Sequence, residues 1–468
     1  MTIRIFNTLT KQEETFTPLS AGRVSFYHCG PTVYWTQHIG NMRGMILADL
    51  IRRSFAYLHY DVSYVRNYTD VGHLTGDNDG DADTGEDRME KASKRENKSP
   101  EDIANFYITQ FEQDTAALNI LPATEKPKAT EYIKEMQDMV QVLLDKGIAY
   151  QTPLAIYFDT SKTKDYYALS GQSAEALRNE AGQGDVSDRE KRNPTDFALW
   201  FFKVGVHKRA LQTWTNPFSE TEGFPGWHIE CSTMAKKLLG DTIDLHMGGI
   251  EHIPIHHTNE IAQSECANDT KFVNYWLHNE HLLVDGSKMS KSEGTGYALS
   301  EITDKGYSPL DLRYFFLQAH YRSKQNFTWE ALEAAQRART RLVGKLAKMD
   351  TAVGNVDTEY KKRFTRALEA DFGLPEALAV TFDVLKSDLD SSDKKATILD
   401  FDQVLGLNLE KEEAPSDIPA EITQLADERA QARADKDWAR SDELRDQIAS
   451  FGYEVKDTPN GQLLSRNS

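Results

Sequence analysis

The sequence predicts an α/β fold: a doubly wound parallel sheet with an inserted connective subdomain, followed by a C-terminal helical bundle and a small terminal module. Three observations carry this. Between Val24 and Asn67, strand, helix and strand signals alternate at the spacing of a parallel βαβ unit, whose crossover should be right-handed. The stretch Ser170 to Pro194 is polar and glycine-rich, as loops of an insertion would be. Beyond about Gln325 the strand signals stop and apolar residues recur at three-four spacing.

In chain order, Val24 to His28 reads as a strand entering a Cys-Gly-Pro turn, Ile46 to Leu58 as an amphipathic helix, and Val62 to Asn67 as the second strand. The loop Asp77 to Asp87 places Asp79, Asp81, Asp83 and Glu90 at calcium-loop positions, but Thr84 stands where the sharp turn needs glycine. A solvated acidic loop is the expectation. Ser99-Pro-Glu-Asp102 is a helix start with capping serine, first-turn proline and early acids, and Ile103, Tyr107 and Phe111 form its buried stripe. A second helix runs from about Thr130, with Ile133, Met136, Val140 and Leu143 on one face, and stops at Gly147. Leu154 to Asp159 is a strand. Leu332, Ala335, Leu342, Leu346 and Met349, then Phe364, Leu368 and Phe372, mark bundle core. A charged, proline-containing linker, Glu410 to Asp417, precedes a module with one helix of mixed charge from about Pro419 to Phe451.

At 468 residues, two to four domains are expected. No apolar run reaches the roughly 20 residues a membrane helix needs, and Met1 to Ser20 lacks the regions of a signal peptide. A cytoplasmic monomer without membrane contact is the expectation. Net charge is −19, which argues against a nucleic-acid partner unless a local basic face does the binding. Three cysteines make no disulfide framework.

Two motifs suit a nucleotide. His38-Ile-Gly40-Asn41 opens a helix, where glycine admits close approach and helix-end N–H groups attract phosphate. Imidazole and amide groups add hydrogen bonds to phosphate oxygens. Lys288-Met-Ser-Lys291-Ser292 follows Asp285-Gly286, a cationic loop suited to a triphosphate. Each is weak alone. As a pair they resemble the signature of class I aminoacyl-tRNA synthetases.

A third constellation has metal-ligand chemistry. Cys29 adjoins the first motif, Cys231 sits in Pro225-Gly-Trp-His-Ile-Glu-Cys231, and His256 and Glu260 share a face if Ile255 to Ala262 is helical. Two thiolates, an imidazole and a carboxylate suit tetrahedral zinc. His252 and His257 are rival ligands on spacing alone.

Along nearly its whole length the sequence resembles the cysteinyl-tRNA synthetase family. The resemblance rests on Cys29-Gly-Pro-Thr-Val-Tyr34, Lys191-Arg-Asn-Pro-Thr-Asp-Phe-Ala-Leu-Trp200, Pro225 to Ser232, His256 to Ser264, and Ala434 to Asp442 with Asp457-Thr-Pro459. It implies zinc on Cys29, Cys231, His256 and Glu260, with Cys266 outside the site. It implies ATP at His38, Gly40, Asn41 and Lys291, Mg²⁺ with the ATP, Lys288 and Lys291 acting on the phosphates, and Thr69 and Trp227 lining a pocket for L-cysteine. Zinc would select the substrate thiolate against serine, which differs by one atom. The implied product is cysteinyl-tRNA, made on tRNA(Cys). The implied domains are a Rossmann-like catalytic domain at 1–120 and 200–265, a connective insertion at 121–199, a stem-contact region at 266–325, a bundle at 326–408 and an anticodon-binding module at 419–468, where Arg429, Arg433, Arg440 and Arg445 are candidates for phosphate contacts.

The pattern is departed from at several positions. Asn41 replaces the signature's second histidine, which leaves a donor but no proton carrier. After His246 come Met247-Gly-Gly249, then Glu251-His252 where Asp-Leu is commoner, and Thr258 stands where an acid is frequent. Two rival activities follow: a cysteine ligase of mycothiol synthesis with an amino-sugar acceptor, and a catalytically weak zinc- and tRNA-binding homologue.

Overall fold

The computed structural model describes residues 2–72, 88–171, 188, 190–289, 295–349, 352–410, 420–458 and 461–466. A hairpin of β1 (Arg4–Asn7) and β2 (Gln12–Thr15) precedes the first strand of the central sheet, β3 (Arg23–His28). Next come α1 (Ile39–Tyr57) and β4 (Asp61–Arg66), parallel to β3, so the expected βαβ unit is present. Its helix starts before the expected Ile46, at the His38 motif expected to open a helix. In place of one apolar face it is buried on nearly every side, because the sheet, β4 and later helices all pack on it.

Helix α2 (Arg88–Glu96) follows, then α3 (Pro100–Ala117), whose Ser99 cap accepts from Asp102 N at 3.1 Å. Burial pushes the carboxyl of Asp114, on α3, up to about 6. An unfolded carboxyl titrates near ~3.9. Between about pH 4 and 6 the folded chain therefore binds more protons than the unfolded one, and stability falls as pH rises through that window. Denaturant unfolding of Asp114→Asn should show a flatter pH profile there; superimposable profiles would exclude the effect.

The inserted subdomain holds α4 (Ile133–Asp145) and a four-stranded antiparallel sheet in the order β5 (Ala149–Gln151), β6 (Ala155–Phe158), β7 (Phe197–Phe202) and β8 (Gly223–Pro225). The expected end of the insertion at 199 falls inside β7, whose six residues are all buried, so the subdomain continues to 225. The chain then returns through α5 (Trp227–Leu239) to β9 (Ile243–Gly249), α6 (Thr258–Asn268) and β10 (Val273–Asn279). The central sheet is parallel, in the order β10-β9-β3-β4. It therefore runs past the expected boundary at 265. Strand order reverses between β3 and β9, and at such a switch point the C-terminal strand ends leave a crevice for ligand.

Strand β11 (Leu282–Val284) turns at Asp285-Gly286 into β12 (Ser287–Lys288), and β13 (Gln325–Phe327) completes a small sheet. Both turn residues have positive φ, 50° and 81°, the geometry Asp-Gly favours in a tight hairpin. Helices α7 (Leu299–Asp304) and α8 (Pro309–Leu317) precede the bundle of α9 (Trp329–Ala347), α10 (Thr358–Glu369), α11 (Leu374–Lys386) and α12 (Ser391–Leu405). The stripes expected as core are buried there: Leu332, Ala335, Leu342, Phe364, Leu368 and Phe372.

The terminal module differs from its expectation of one helix. It has two, α13 (Ala420–Ala434) and α14 (Trp438–Ser450), and a hairpin of β14 (Tyr453–Thr458) and β15 (Gly461–Arg466). The break falls at Lys436, whose φ of 60° ends one helix, while Asp437 caps the next by accepting from Arg440 N at 3.1 Å. Among the described residues, no helix is long and apolar enough to cross a membrane. The acidic loop Asp77 to Asp87 lies outside the described residues, as do residues 411–419 of the linker.

Candidate active site and metal centre

Three segments converge at the switch-point crevice. Cys29 follows the last residue of β3 and is tied to β9 by its N–H donating to Met247 O at 3.2 Å. The next residue must be glycine. A Cβ on Gly30 would lie 1.6 Å from Asn67 O, and Gly30 N donates to Asn67 Oδ1 at 2.9 Å. Cys231 projects from the second turn of α5. His256 sits in a π-helical turn (Ile253–His257) that runs into α6, so His256 and Glu260 share a face as expected, with Nε2 and Oε1 3.0 Å apart.

The four donor atoms lie within 4.8 Å of one another, and all four residues are buried. Cys29 Sγ is 3.9 Å from Cys231 Sγ and 3.8 Å from Glu260 Oε1. Metal–ligand bonds of about 2.0–2.3 Å on a tetrahedron require donor separations of about 3.3–3.8 Å. The cluster fits a tetrahedral ion with little movement.

Cys29 and Glu260 also form a second four-donor group with His246 and His257. Here the two histidines are held by other bonds. His246 Nε2 lies 3.0 Å from Glu260 Oε2, which leaves Oε1 to face the cysteines. His257 Nδ1 shares a 2.7 Å hydrogen bond with His278 Nε2, and His278 Nδ1 in turn meets Thr8 Oγ1 at 2.9 Å. The far nitrogen of His256 meets His228 Nδ1 at 3.0 Å. Such outer partners orient ligands and set their basicity. The sequence did not reveal His246, His228 and His278 as supports, because their relation to the cluster joins elements distant in the chain. Of its rivals, His257 touches Cys29 Sγ at 3.4 Å, while His252 lies in neither donor group, with its ring 5.4 Å from that of His256.

The electrostatics match a site built for a cation. Burial opposes charge on His256, but Glu260 and Cys231 outweigh it and hold its pKa up at about 10. Burial likewise opposes ionisation of Glu260, and His246 and His256 overcome it, down to about 2. The Cys231 thiol is pulled below its ordinary value by the hydrogen bond with Cys29, against burial. Cys29 is pushed up, by burial first and then by Cys231.

Trp227 borders the cluster, and Thr69 bonds the residue before Cys231. Thr69 Oγ1 donates to the buried Glu230 Oε2 at 3.2 Å, and the Trp227 ring centroid lies 4.3 Å from that of His256. The nucleotide motif caps α1. Asn41 N donates to His38 Nδ1 at 3.2 Å, and Asn41 Oδ1 accepts from His38 N at 3.3 Å. Asn41 therefore spends its oxygen on the cap and keeps its amide N–H₂ exposed at the helix end. A Cβ on Gly40 would lie 3.0 Å from the His38 ring and 3.4 Å from Met289 Sδ, so the lysine-rich loop reaches the first motif. After the loop, Ile39 N donates to Tyr297 O at 2.8 Å. Lys288 is exposed at the end of β12, and Lys291 lies outside the described residues.

Comparison with known proteins identifies the family. Residues 15–337 match the model of the tRNA synthetases class I (C) catalytic domain, and residues 416–463 that of the cysteinyl-tRNA ligase anticodon binding domain. Cysteine–tRNA ligase 1 of Burkholderia lata is 44% identical over 466 residues, covering 99% of this chain and 97% of that protein. The chain belongs to the cysteine–tRNA ligase family. Another member, the cysteine–tRNA ligase of Treponema denticola, is 39% identical over 495 residues, covering 98% of each chain. The class I fold of the family is also visible in the methionyl-tRNA synthetase of Mycobacterium tuberculosis bound by methionyl-adenylate. That structure superposes with a TM-score of 0.53 at 14% identity, over 82% of this chain and 90% of that one.

Proposed function

We propose that this member of the cysteine–tRNA ligase family activates L-cysteine with ATP and transfers it to the 3′-terminal adenosine of tRNA(Cys), acting as a cytoplasmic monomer. The observation that carries the proposal is the buried Cys29–Cys231–His256–Glu260 cluster set at the switch point, beside the His38–Asn41 cap. Zinc suits this mixed sulfur, nitrogen and oxygen set, and bound there it would take the substrate sulfur as thiolate, a match serine cannot make.

In the first step the cysteine carboxylate, already ionised, attacks the α-phosphate of ATP and pyrophosphate leaves. The N-terminus of α1 and the amide of Asn41 face the phosphates, with His38 held by its cap bond. Lys288 and Lys291 would bind the leaving pyrophosphate, with Mg²⁺ as the counter-ion of ATP. Thr69 and Trp227 would line the cysteine pocket. In the second step the ribose 2′-hydroxyl attacks the acyl carbon and AMP leaves. The catalytic domain with its sheet running to β10, the insertion from 121 to 225, a stem-contact region after β10 and the bundle at 326–408 are proposed assignments, as is the anticodon-binding role of 419–468.

The terminal module favours tRNA over an amino-sugar acceptor, since its match is to an anticodon-binding model. Its arginines are partly engaged within the module: Arg440 Nη1 lies 2.7 Å from Glu443 Oε2, and Arg429 is buried. Cysteine-dependent ATP–pyrophosphate exchange, then charging of tRNA(Cys), tests the proposal. No exchange in the metal-loaded protein would sink it. Exchange without charging would favour the amino-sugar ligase. Lys291→Ala should lower exchange by about a hundredfold or more, by loss of charge stabilisation in the transition state; an undiminished rate would remove Lys291 from the mechanism.

A further inference from the structure

A cationic, aromatic strip runs from the mouth of the nucleotide site along α2 and α3. Trp35, three residues before His38, is 39% exposed, and Phe106 on α3 is 52% exposed. Each carries a cation over its face: Arg95 Cζ lies 4.0 Å from the Trp35 ring centroid, and Lys98 Nζ lies 4.7 Å from that of Phe106. Tyr107 joins the two halves. Its ring meets Phe106 edge-on at 5.1 Å, and its hydroxyl accepts from Arg95 Nη2 at 3.3 Å while donating to Glu96 Oε1 at 2.7 Å. Arg95 also donates to Tyr34 O at 3.4 Å, which ties the strip to the segment leading into the ATP motif.

Charge and shape point to the same partner. In a chain of net charge −19, the stretch Arg88 to Lys98 carries cations at Arg88, Lys91, Lys94, Arg95 and Lys98 against acids at Glu90 and Glu96. A local cationic face on an acidic protein attracts a polyanion to that face alone. Exposed aromatic rings beside cations are what a single-stranded nucleic acid needs, because unpaired bases stack on rings while their phosphates meet the charges. Paired bases in a duplex are already stacked and would leave the rings unused.

We propose that the Trp35–Arg95–Phe106–Lys98 strip is a stacking platform that guides the unpaired 3′ end of the tRNA to the adenylate. This rests on the reading that the chain charges a tRNA. The side chains are exposed and make no contact with the metal cluster, so their loss should spare amino-acid activation.

The test uses the full-length, metal-loaded chain with Phe106→Ala/Lys98→Glu and, separately, Trp35→Ala. Binding is measured on intact tRNA and on the same tRNA trimmed of its unpaired terminal nucleotides. Each variant should bind intact tRNA about tenfold more weakly or worse, with cysteine-dependent ATP–pyrophosphate exchange unchanged. The Lys98→Glu change should also lower the salt dependence of binding by about one charge. On trimmed tRNA, variants and unaltered chain should bind alike. Equal affinity of all chains for intact tRNA would overturn the platform, and so would a loss that persists in full on trimmed tRNA. Absence of exchange in the unaltered chain would instead overturn the proposed function, while the two binding measurements still decide the platform.

Discussion

Cys231→Ala is expected to strip the metal from the protein and to lower cysteine-dependent ATP–pyrophosphate exchange by on the order of a thousandfold. Losing even an outer partner of a metal ligand typically costs about 10–100-fold in affinity or activity, and losing a ligand should cost more. Cys231 is 2% exposed, and its thiol is the more readily ionised of the cluster's two cysteines. Without it, Cys29, His256 and Glu260 remain as three donors, and the rival group of Cys29, His246, His257 and Glu260 is left intact. Elemental analysis of the purified chain checks the metal. The comparison with His257→Ala makes the outcome decisive, because the rival donor group contains His257 and not Cys231. Metal retained in Cys231→Ala and lost in His257→Ala would move the ion to the rival group. Cys266→Ala, outside both groups, should keep metal and exchange.

Asp49→Ala should destabilise the chain by about 3–5 kcal/mol, the usual cost of leaving buried charges without their partner. Asp49 Oδ2 accepts from Arg53 Nε at 2.8 Å and from Arg313 Nη2 at 2.7 Å, and Oδ1 accepts from Leu121 N at 2.9 Å. Asp49 and Arg313 are 1% and 0% exposed, so water cannot replace the lost carboxylate. The same guanidiniums hold the bundle to the catalytic domain. Arg313 Nε donates to Leu405 O at 2.8 Å, and Arg53 Nη1 to Gln403 O at 3.1 Å. The fit leaves no slack, since a Cβ on Gly406 would lie 2.5 Å from Arg313 Nη2. Asp49 also belongs to α1, whose first turn is the nucleotide motif, so the loss should reach the ATP site. Thermal unfolding measures the first effect and the KM for ATP the second. A midpoint within a degree or two of the unaltered chain would show that Arg53 and Arg313 need no counter-charge. Asp49→Asn, which keeps an oxygen acceptor, should fall between.

How much of this was legible beforehand depended on whether a signal was local. The helix opening at His38, the cap at Ser99 and the bundle stripes each depend on residues a few positions apart, and each is present where spacing placed it. The single helix expected after Pro419 failed for the opposite reason. Mixed charge continues through residues 434–438, which hides the break at Lys436 and the Asp437 cap that starts the second helix. The boundaries at 199 and 265 failed because strand pairing over long distances decides which sheet a segment joins. Phe197–Phe202 completes one sheet and Val273–Asn279 another.

The buried donor cluster divides in the same way. The sequence by itself determined the donor types, the i,i+4 relation of His256 and Glu260, and the pairing of two nucleotide motifs, because these are properties of residue identity and helical period. Only the tertiary structure decided that Cys29 and Cys231, 202 residues apart, lie 3.9 Å from each other, and that His246 and His278 hold Glu260 and His257 in place. Those relations come from β3, β9 and β10 lying parallel and adjacent, with α5 packed on β3 and on α6. Pairing of that kind is set by burial of whole strands, and no local pattern in the chain encodes it.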